Sequence, residues 1–123
     1  MKSLLIILFA AAPAFCEPQV QEKALSAEQL EQAVKQEPAN ASLYLRLGFA
    51  YSKLQKADEA QAAFETAIRL DPSKDGAYFM LGLIYEKKGL KEKAIAAWKA
   101  YIEREPDAHM RRKAFKHLHN LQN

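Results

Sequence analysis

Residues Ala41–Ser73 read ASLYLRLGFAYSKLQKADEAQAAFETAIRLDPS. Residues Asp75–Asp107, thirty-four positions later, read DGAYFMLGLIYEKKGLKEKAIAAWKAYIEREPD and repeat the same pattern of residue types. A fixed period of this kind is the sequence signature of repeat architectures. The landmark residues coincide in pairs: Tyr44 with Tyr78, Leu47-Gly48 with Leu81-Gly82, Tyr51 with Tyr85, Ala60 with Ala94, Phe64 with Trp98, and Pro72 with Pro106. The coincidence predicts that both stretches fold in the same way.

Each stretch is predicted to form two amphipathic helices. In the first stretch, apolar residues recur at spacings of three and four on either side of a short polar break. They are Tyr44, Leu47, Ala50, Tyr51 and Leu54, then Ala57, Ala60, Ala63, Phe64, Ala67 and Ile68. Because the break is so short, the two helices are expected to pack antiparallel.

Glycine residues in this pattern indicate close contacts between helices, and proline residues indicate where helices end. Gly48 and Gly82 lie inside helical patterns, where glycine costs about 1 kcal/mol relative to alanine. We therefore expect a neighbouring helix to approach closely at both. Pro72 and Pro106 are expected to end the second helices, because proline has no amide hydrogen. Gly89 is assigned to the turn between two helices.

The pattern Tyr44-x2-Leu47-Gly48-x2-Tyr51, followed by Ala60-x3-Phe64 and Pro72, resembles the tetratricopeptide repeat, with tyrosine in place of the favoured tryptophan. The second unit matches equally well, with Trp98 in place of phenylalanine. The resemblance implies an all-α solenoid of helical hairpins, with full repeats at residues 41–74 and 75–108.

The segment before the first full repeat is interpreted as half a unit. Pro38 lies one period before the proline of the first repeat, so residues 26–38 take the place of a second helix whose first helix is missing. The helix itself is predicted at Ala27–Gln36. Ser26 and Gln29 have the spacing of a capping box, so we expect the helix to begin sharply after Ser26.

The segment after the second full repeat is interpreted as a polar capping helix. Residues 109–123 take the place of a first helix, predicted at Ala108–Leu121, with Lys116 where the glycine would stand and His119 where the tyrosine would stand. With residues 17–25 as a flexible lead, the expected array has about six helices.

Residues 1–16 have the pattern of a secretory signal peptide. Lys2 is followed by an apolar run and by the small residues Ala12-Pro13-Ala14, and cleavage is expected after Ala14 or after Cys16. The uncharged run is shorter than the roughly 20 residues a spanning helix needs, so no stable membrane span is expected. We expect an exported protein, in a bacterial periplasm. The alternative is a lipid anchor on Cys16, although Phe15 is larger than the residue that lipoproteins have before their cysteine.

Composition argues against several function classes. The net charge is +3, which is weak for a nucleic-acid binder. A single cysteine excludes an internal disulfide, and no phosphate-binding glycine cluster is present. His109, His117 and His119 are separated by eight and two residues, which does not suit a helical metal pair. We therefore expect no catalytic residue, no cofactor and no metal.

The last helix carries four basic residues, which are Arg111, Arg112, Lys113 and Lys116. They are open to two interpretations, a solvated cap or a contact for an acidic partner.

The family resemblance also implies a binding surface. In tetratricopeptide repeats, the concave face is lined by the residue after the first aromatic position and the residue after the glycine. Carried over to this sequence, those positions are Leu45, Phe49, Phe79, Leu83, Lys113 and His117. Members that grip a carboxylate have lysine and asparagine where this chain has Leu45 and Phe49. An apolar segment of a partner protein is therefore the expected ligand.

The expected function is a non-catalytic, exported scaffold for protein–protein interaction. Its partner would be another protein or a peptide segment, with no nucleic acid. The alternative is a self-association element, in which the same apolar face forms a homo-oligomer.

Overall fold

The computed structural model describes residues 24–123, which form six α-helices and no strand. Their bounds are α1 (Ala27–Gln36), α2 (Ala41–Lys53), α3 (Ala57–Leu70), α4 (Asp75–Lys87), α5 (Lys91–Arg104) and α6 (Ala108–Gln122). The predicted all-α class and the number of helices are confirmed. The predicted signal peptide and most of the lead segment lie outside the described residues. None of the described helices is long and apolar enough to cross a membrane.

Short polar side chains begin three of the helices. The Ser26 hydroxyl accepts a hydrogen bond from the Gln29 backbone N–H at 3.2 Å, and the Gln29 side chain accepts one from the Ser26 N–H at 2.9 Å. This is the predicted capping box, and it satisfies two amide groups that the first turn of α1 leaves free. Asn40 caps α2 and Asp107 caps α6 in the simpler one-sided way.

Helices pack against their neighbours in the chain, and the hairpins α2–α3 and α4–α5 form the closest pairs. A Cβ atom at Gly48 would lie 2.6 Å from the Phe64 ring, and one at Gly82 would lie 2.6 Å from the Trp98 ring. Both rings are fully buried. The prediction that these glycines mark close contacts between helices is confirmed, because no residue with a side chain fits there without displacing a buried ring.

Hydrogen bonds between tyrosine and glutamate join successive units. The Tyr51 hydroxyl of α2 donates to Glu31 of α1 at 2.5 Å, and one period later Tyr85 of α4 donates to Glu65 of α3 at 2.6 Å. The hydrogen bond to Glu31 and partial burial raise the pKa of Tyr51 to about 12. Burial, and then the bond to Glu65, raise the pKa of Tyr85. The same contact therefore connects α1 to α2 and, one period later, α3 to α4.

Candidate functional site

The six predicted groove residues lie at two equivalent places on the first helices α2, α4 and α6. Leu45, Phe79 and Lys113 occupy one place, and Phe49, Leu83 and His117 occupy the other, four residues further along each helix. Residues four apart share a face of a helix. The array brings α2 and α4 into direct contact, and α6 packs on α5.

Phe49 is the most exposed of the four apolar groove residues, with 39% of its surface accessible. Its ring meets the buried Phe64 ring edge to face, with the centroids 5.2 Å apart. The tip of the Phe49 ring lies 3.7 Å from the place of a Cβ on Gly76, at the start of α4. Phe49 thus spans from its own repeat to the next one, while one side remains open to solvent.

The other apolar groove residues contribute more to the core than their spacing alone suggests. Leu45, Phe79 and Leu83 are partly buried and pack against the larger core cluster. The Phe79 ring makes edge contacts with both Trp98 and Tyr101, each with centroids 5.2 Å apart. These three side chains are therefore partly accessible at the surface and partly packed into the core, and of the four only Phe49 is exposed.

His117 holds α6 to the body of the array. Its Nδ1 lies 2.8 Å from a carboxylate oxygen of Glu86 on α4, and its ring stacks on Trp98 with the centroids 4.6 Å apart and an angle of 15° between the planes. Both partners of the His117 ring therefore come from other helices. Lys113, one turn earlier on α6, is exposed to solvent.

Two equivalent hollows open beside the groove residues. One, of about 210 Å³, contains Phe49, and the other, of about 280 Å³, contains Leu83. Four lining residues of the first hollow recur one period later in the second: Arg46, Phe49, Ala50 and Lys53 correspond to Met80, Leu83, Ile84 and Lys87. Each hollow thus combines an apolar floor with one lysine at the same repeat position.

The sequence analysis missed these lysines and the hollows themselves. Lys53 and Lys87 lie four residues after the second groove position, so the thirty-four-residue period could have identified them. The walls could not have been identified in this way, because they are supplied by other helices and turns. Gln55 and Ala57 line the second hollow, and Leu25 and Leu30 line the first.

The hollows contain no arrangement that suggests acid–base or metal chemistry. Within residues 24–123, no three or more His, Cys, Asp or Glu side chains are grouped so that they could hold a metal ion. The lowered carboxyl pKa values belong to helix caps and turns. Asp107 is an example, because its pKa is lowered by hydrogen bonding to the Met110 backbone at the start of α6. The arrangement supports contact with an apolar or amphipathic chain.

Comparison with known proteins gives a family and a set of similar folds. The family model of the tetratricopeptide repeat matches residues 46–109 of this chain. The second such domain of human RPAP3, solved with the HSP70 peptide SGPTIEEVD, is 26% identical, with 79% of this chain and 78% of that chain covered and a TM-score of 0.67. The Arabidopsis OM64 domain is 23% identical, with coverages of 76% and 78% and a TM-score of 0.69.

MamA, a third similar structure, is 26% identical, with 78% of this chain and 64% of that chain covered and a TM-score of 0.63. No curated protein sequence is significantly similar to the chain. The similar structures include domains solved with peptides of partner proteins.

Proposed function

The chain belongs to the tetratricopeptide repeat family, and we propose from that premise that it is an exported, non-catalytic scaffold that binds an apolar segment of a partner protein. The segment lies along the groove of α2, α4 and α6. The observation that carries the proposal is the position of Phe49, a large aromatic side chain left 39% exposed between two repeats. An apolar partner would gain roughly 25 cal/mol for each Å² of such surface removed from water.

The type of ligand follows from what the groove lacks and what it contains. Leu45 and Phe49 take the places where carboxylate-gripping members have lysine and asparagine, so the chain has no equivalent of that grip at those two positions. The apolar floors beside Phe49 and Leu83 suit alternate apolar side chains of a helix or an extended segment. Lys53 and Lys87 at the edges favour a segment that also carries acidic residues.

Capture of the partner tests this proposal. We expect Phe49→Ser to reduce capture from an extract of the native compartment at least tenfold, which is about 1.4 kcal/mol. Phe115→Ser is the matched control, because Phe115 is exposed on the far side of α6 and lies outside the groove. Circular dichroism should show unchanged helicity for both. Equal capture by both variants would place the binding site elsewhere.

Light scattering distinguishes partner binding from the alternative, which is self-association through the same groove. A groove-mediated oligomer would dissociate in Phe49→Ser, whereas a scaffold that does not associate through the groove would have the same mass with and without the substitution. Phe79→Ser is less informative, because Phe79 contacts two aromatic residues of α5 and its loss would also weaken the fold.

Export and location rest on the N-terminal sequence pattern alone. We propose that the leader is removed by cleavage after Ala14 or after Cys16 on export to a bacterial periplasm. The intact mass of the isolated protein should then correspond to a chain beginning at Phe15 or Glu17. A mass that includes Met1, or a diacylglycerol group on Cys16, would contradict this proposal and in the second case indicate the lipid-anchored alternative.

A further inference from the structure

The two ends of the described array are complementary halves of one repeat. By the thirty-four-residue period, α1 corresponds to the second helices α3 and α5, and α6 corresponds to the first helices α2 and α4. In each complete repeat, a first helix and a second helix pack as a hairpin. Among residues 24–123, α1 and α6 each lack the other member of that pair.

The outer face of α6 has an apolar centre surrounded by basic residues. Phe115 is 52% exposed, whereas the equivalent residues Leu47 and Leu81 are 6% and 1% exposed because a second helix covers them. Three exposed residues surround Phe115 at spacings of three, one and four: Arg112, Lys116 and His119. The face of a first helix that packs on its second helix in the complete repeats is thus cationic in α6, and none of the described residues covers it.

The complete repeats show which residues of α1 would meet this face. In each hairpin, three residues of the first helix and three of the second occupy equivalent places around one hollow. Between α2 and α3 they are Tyr44, Leu47 and Tyr51 with Glu59, Ala62 and Ala63. Between α4 and α5 they are Tyr78, Leu81 and Tyr85 with Lys93, Ala96 and Ala97, which are the same six places one period later.

Transferring these places to α6 and α1 pairs basic residues with an acidic one. One period after α4, the three places of the first helix hold Arg112, Phe115 and His119. One period before α3, the two places that fall within α1 hold Glu28 and Gln29, and the third falls on Leu25, which precedes the helix. A hairpin built from α6 and α1 would therefore bring Glu28 to a hollow that contains Phe115 and is edged by two basic side chains.

The required residues of α1 are accessible, and the two helices differ in charge as a whole. Glu28 and Gln29 are both exposed. The α1 helix contains two glutamates and one lysine, whereas α6 contains four lysines and arginines and no acidic residue. We propose that α6 of one copy packs against α1 of a second copy and completes a repeat across the junction. The contact joins different faces, so copies link head to tail instead of closing into a symmetric dimer.

The junction is weaker than an internal hairpin. Lys116 stands where the complete repeats have Gly48 and Gly82, at which even a Cβ would lie 2.6 Å from a buried ring. The place of the buried Phe64 and Trp98 rings is held in α1 by Leu30, which is already buried within its own chain. The helices at the junction cannot approach so closely, and the charge pairs across it are screened by salt.

Sedimentation velocity on the isolated protein, with the leader removed, tests the proposal. We expect the mean mass to rise with protein concentration at low ionic strength and to rise less at about 0.5 M salt, where screening acts within a few ångströms. Glu28→Lys and Arg112→Glu should each weaken the association at least tenfold, because each places like charges opposite one another. Lys113→Glu is the matched control, because Lys113 lies on the groove side of α6, and it should leave the association unchanged.

Arg112→Glu should leave the single chain folded, because the new glutamate lies four residues before Lys116 on the same helix. Glu28→Lys should cost α1 some stability, because Glu28 is the acidic residue of its first turn, where a negative charge is favoured. Arg112→Glu is therefore the primary variant. Circular dichroism at low protein concentration checks this point before association is measured.

Mixing the two variants provides the decisive measurement. Each junction between a Glu28→Lys chain and an Arg112→Glu chain again pairs opposite charges, so an equimolar mixture should associate as the unsubstituted chain does. Phe115→Ser should weaken this association, although it is expected to leave partner capture unchanged. A single-chain mass at every concentration in low salt, an association insensitive to both charge reversals, or a mixture that fails to recover would each overturn the proposal.

Discussion

The turns inside the two full repeats adopt the same left-handed backbone with different residues. Gln55 has a φ of 57°, and Gly89, one period later, has a φ of 72°. A residue with a Cβ is disfavoured there by roughly 1–2 kcal/mol, because the Cβ crowds the following carbonyl oxygen, whereas glycine has no such contact. The first repeat therefore carries a strained residue at a position where the second repeat has the residue that the conformation favours.

Exchange of the two residues gives a matched test. We expect Gln55→Gly to raise the free energy of unfolding by up to about 1 kcal/mol, since the relief of strain is partly offset by the greater freedom of glycine in the unfolded chain. Gly89→Gln should lower it by a similar amount. Urea denaturation measures both. A loss of stability in Gln55→Gly would show that another interaction of the side chain outweighs the strain.

The close contact at Gly48 predicts an effect opposite to helix propensity. Alanine is a better helix former than glycine by about 1 kcal/mol. In Gly48→Ala, however, the methyl group would lie 2.6 Å from the buried Phe64 ring, so we expect a loss of about 1–3 kcal/mol. Gly76→Ala is the control, because the nearest atom lies 3.7 Å away, and it should be neutral or stabilising. Thermal or urea unfolding distinguishes the two, and equal effects would argue against close packing.

At the scale of the helices, α1 depends on its cap more than the other helices do. It has only ten residues, and helices of that length are marginal in water without support. Its capping box satisfies amide groups at its first turn, whereas α3, α4 and α5 begin without a side-chain cap and pack between neighbours on both sides. Loss of the cap should therefore act mainly on α1.

Removing this cap should destabilise α1 locally. We expect Ser26→Ala to lower the free energy of unfolding by about 1 kcal/mol and to increase amide hydrogen exchange in α1 before the rest of the array. Ser26→Asp should retain most of the stability, because a carboxylate can accept the same backbone hydrogen bond. Uniformly faster exchange in all helices would mean that α1 unfolds only together with the whole array.

Helix bounds could be predicted because their signals are local. The prediction of Ala27–Gln36 is the same as the observed α1, and α6 extends one residue beyond the predicted Leu121. The burial of the groove residues could not be predicted, because it depends on contacts between helices. Spacing assigns Phe79 to a helix face but does not reveal its contact with Tyr101, and it does not predict that His117 stacks on Trp98.

In the molecule as a whole, each unit contacts mainly its neighbours, as is typical of repeat proteins. The Tyr51–Glu31 and Tyr85–Glu65 hydrogen bonds occur at two successive junctions. At the third junction His119 replaces the tyrosine, and the contact of His117 with Glu86 and Trp98 attaches α6 instead. The tyrosine hydroxyls therefore connect repeats 1 and 2 to what precedes each of them, and their ionisation should affect the entire array.

Stability should consequently decrease in alkaline solution. The unfolded chain loses the tyrosine proton near pH 10, whereas the hydrogen bond to Glu31 and partial burial keep the pKa of Tyr51 at about 12 in the folded state. Between these values the folded state binds more protons than the unfolded state, so the free energy of unfolding falls as pH rises from about 10 to about 12. Urea midpoints at about pH 8 and about pH 11 measure this decrease.

The variant Tyr51→Phe is the control for this prediction. Its urea midpoint should be lower than that of the unsubstituted chain at pH 8, because a hydrogen bond worth about 1 kcal/mol is lost. The midpoint of Tyr51→Phe should, however, fall less between the two pH values. If the decrease is the same in Tyr51→Phe, ionisation of other groups causes it, and the Tyr51–Glu31 contact has no special part in the alkaline response.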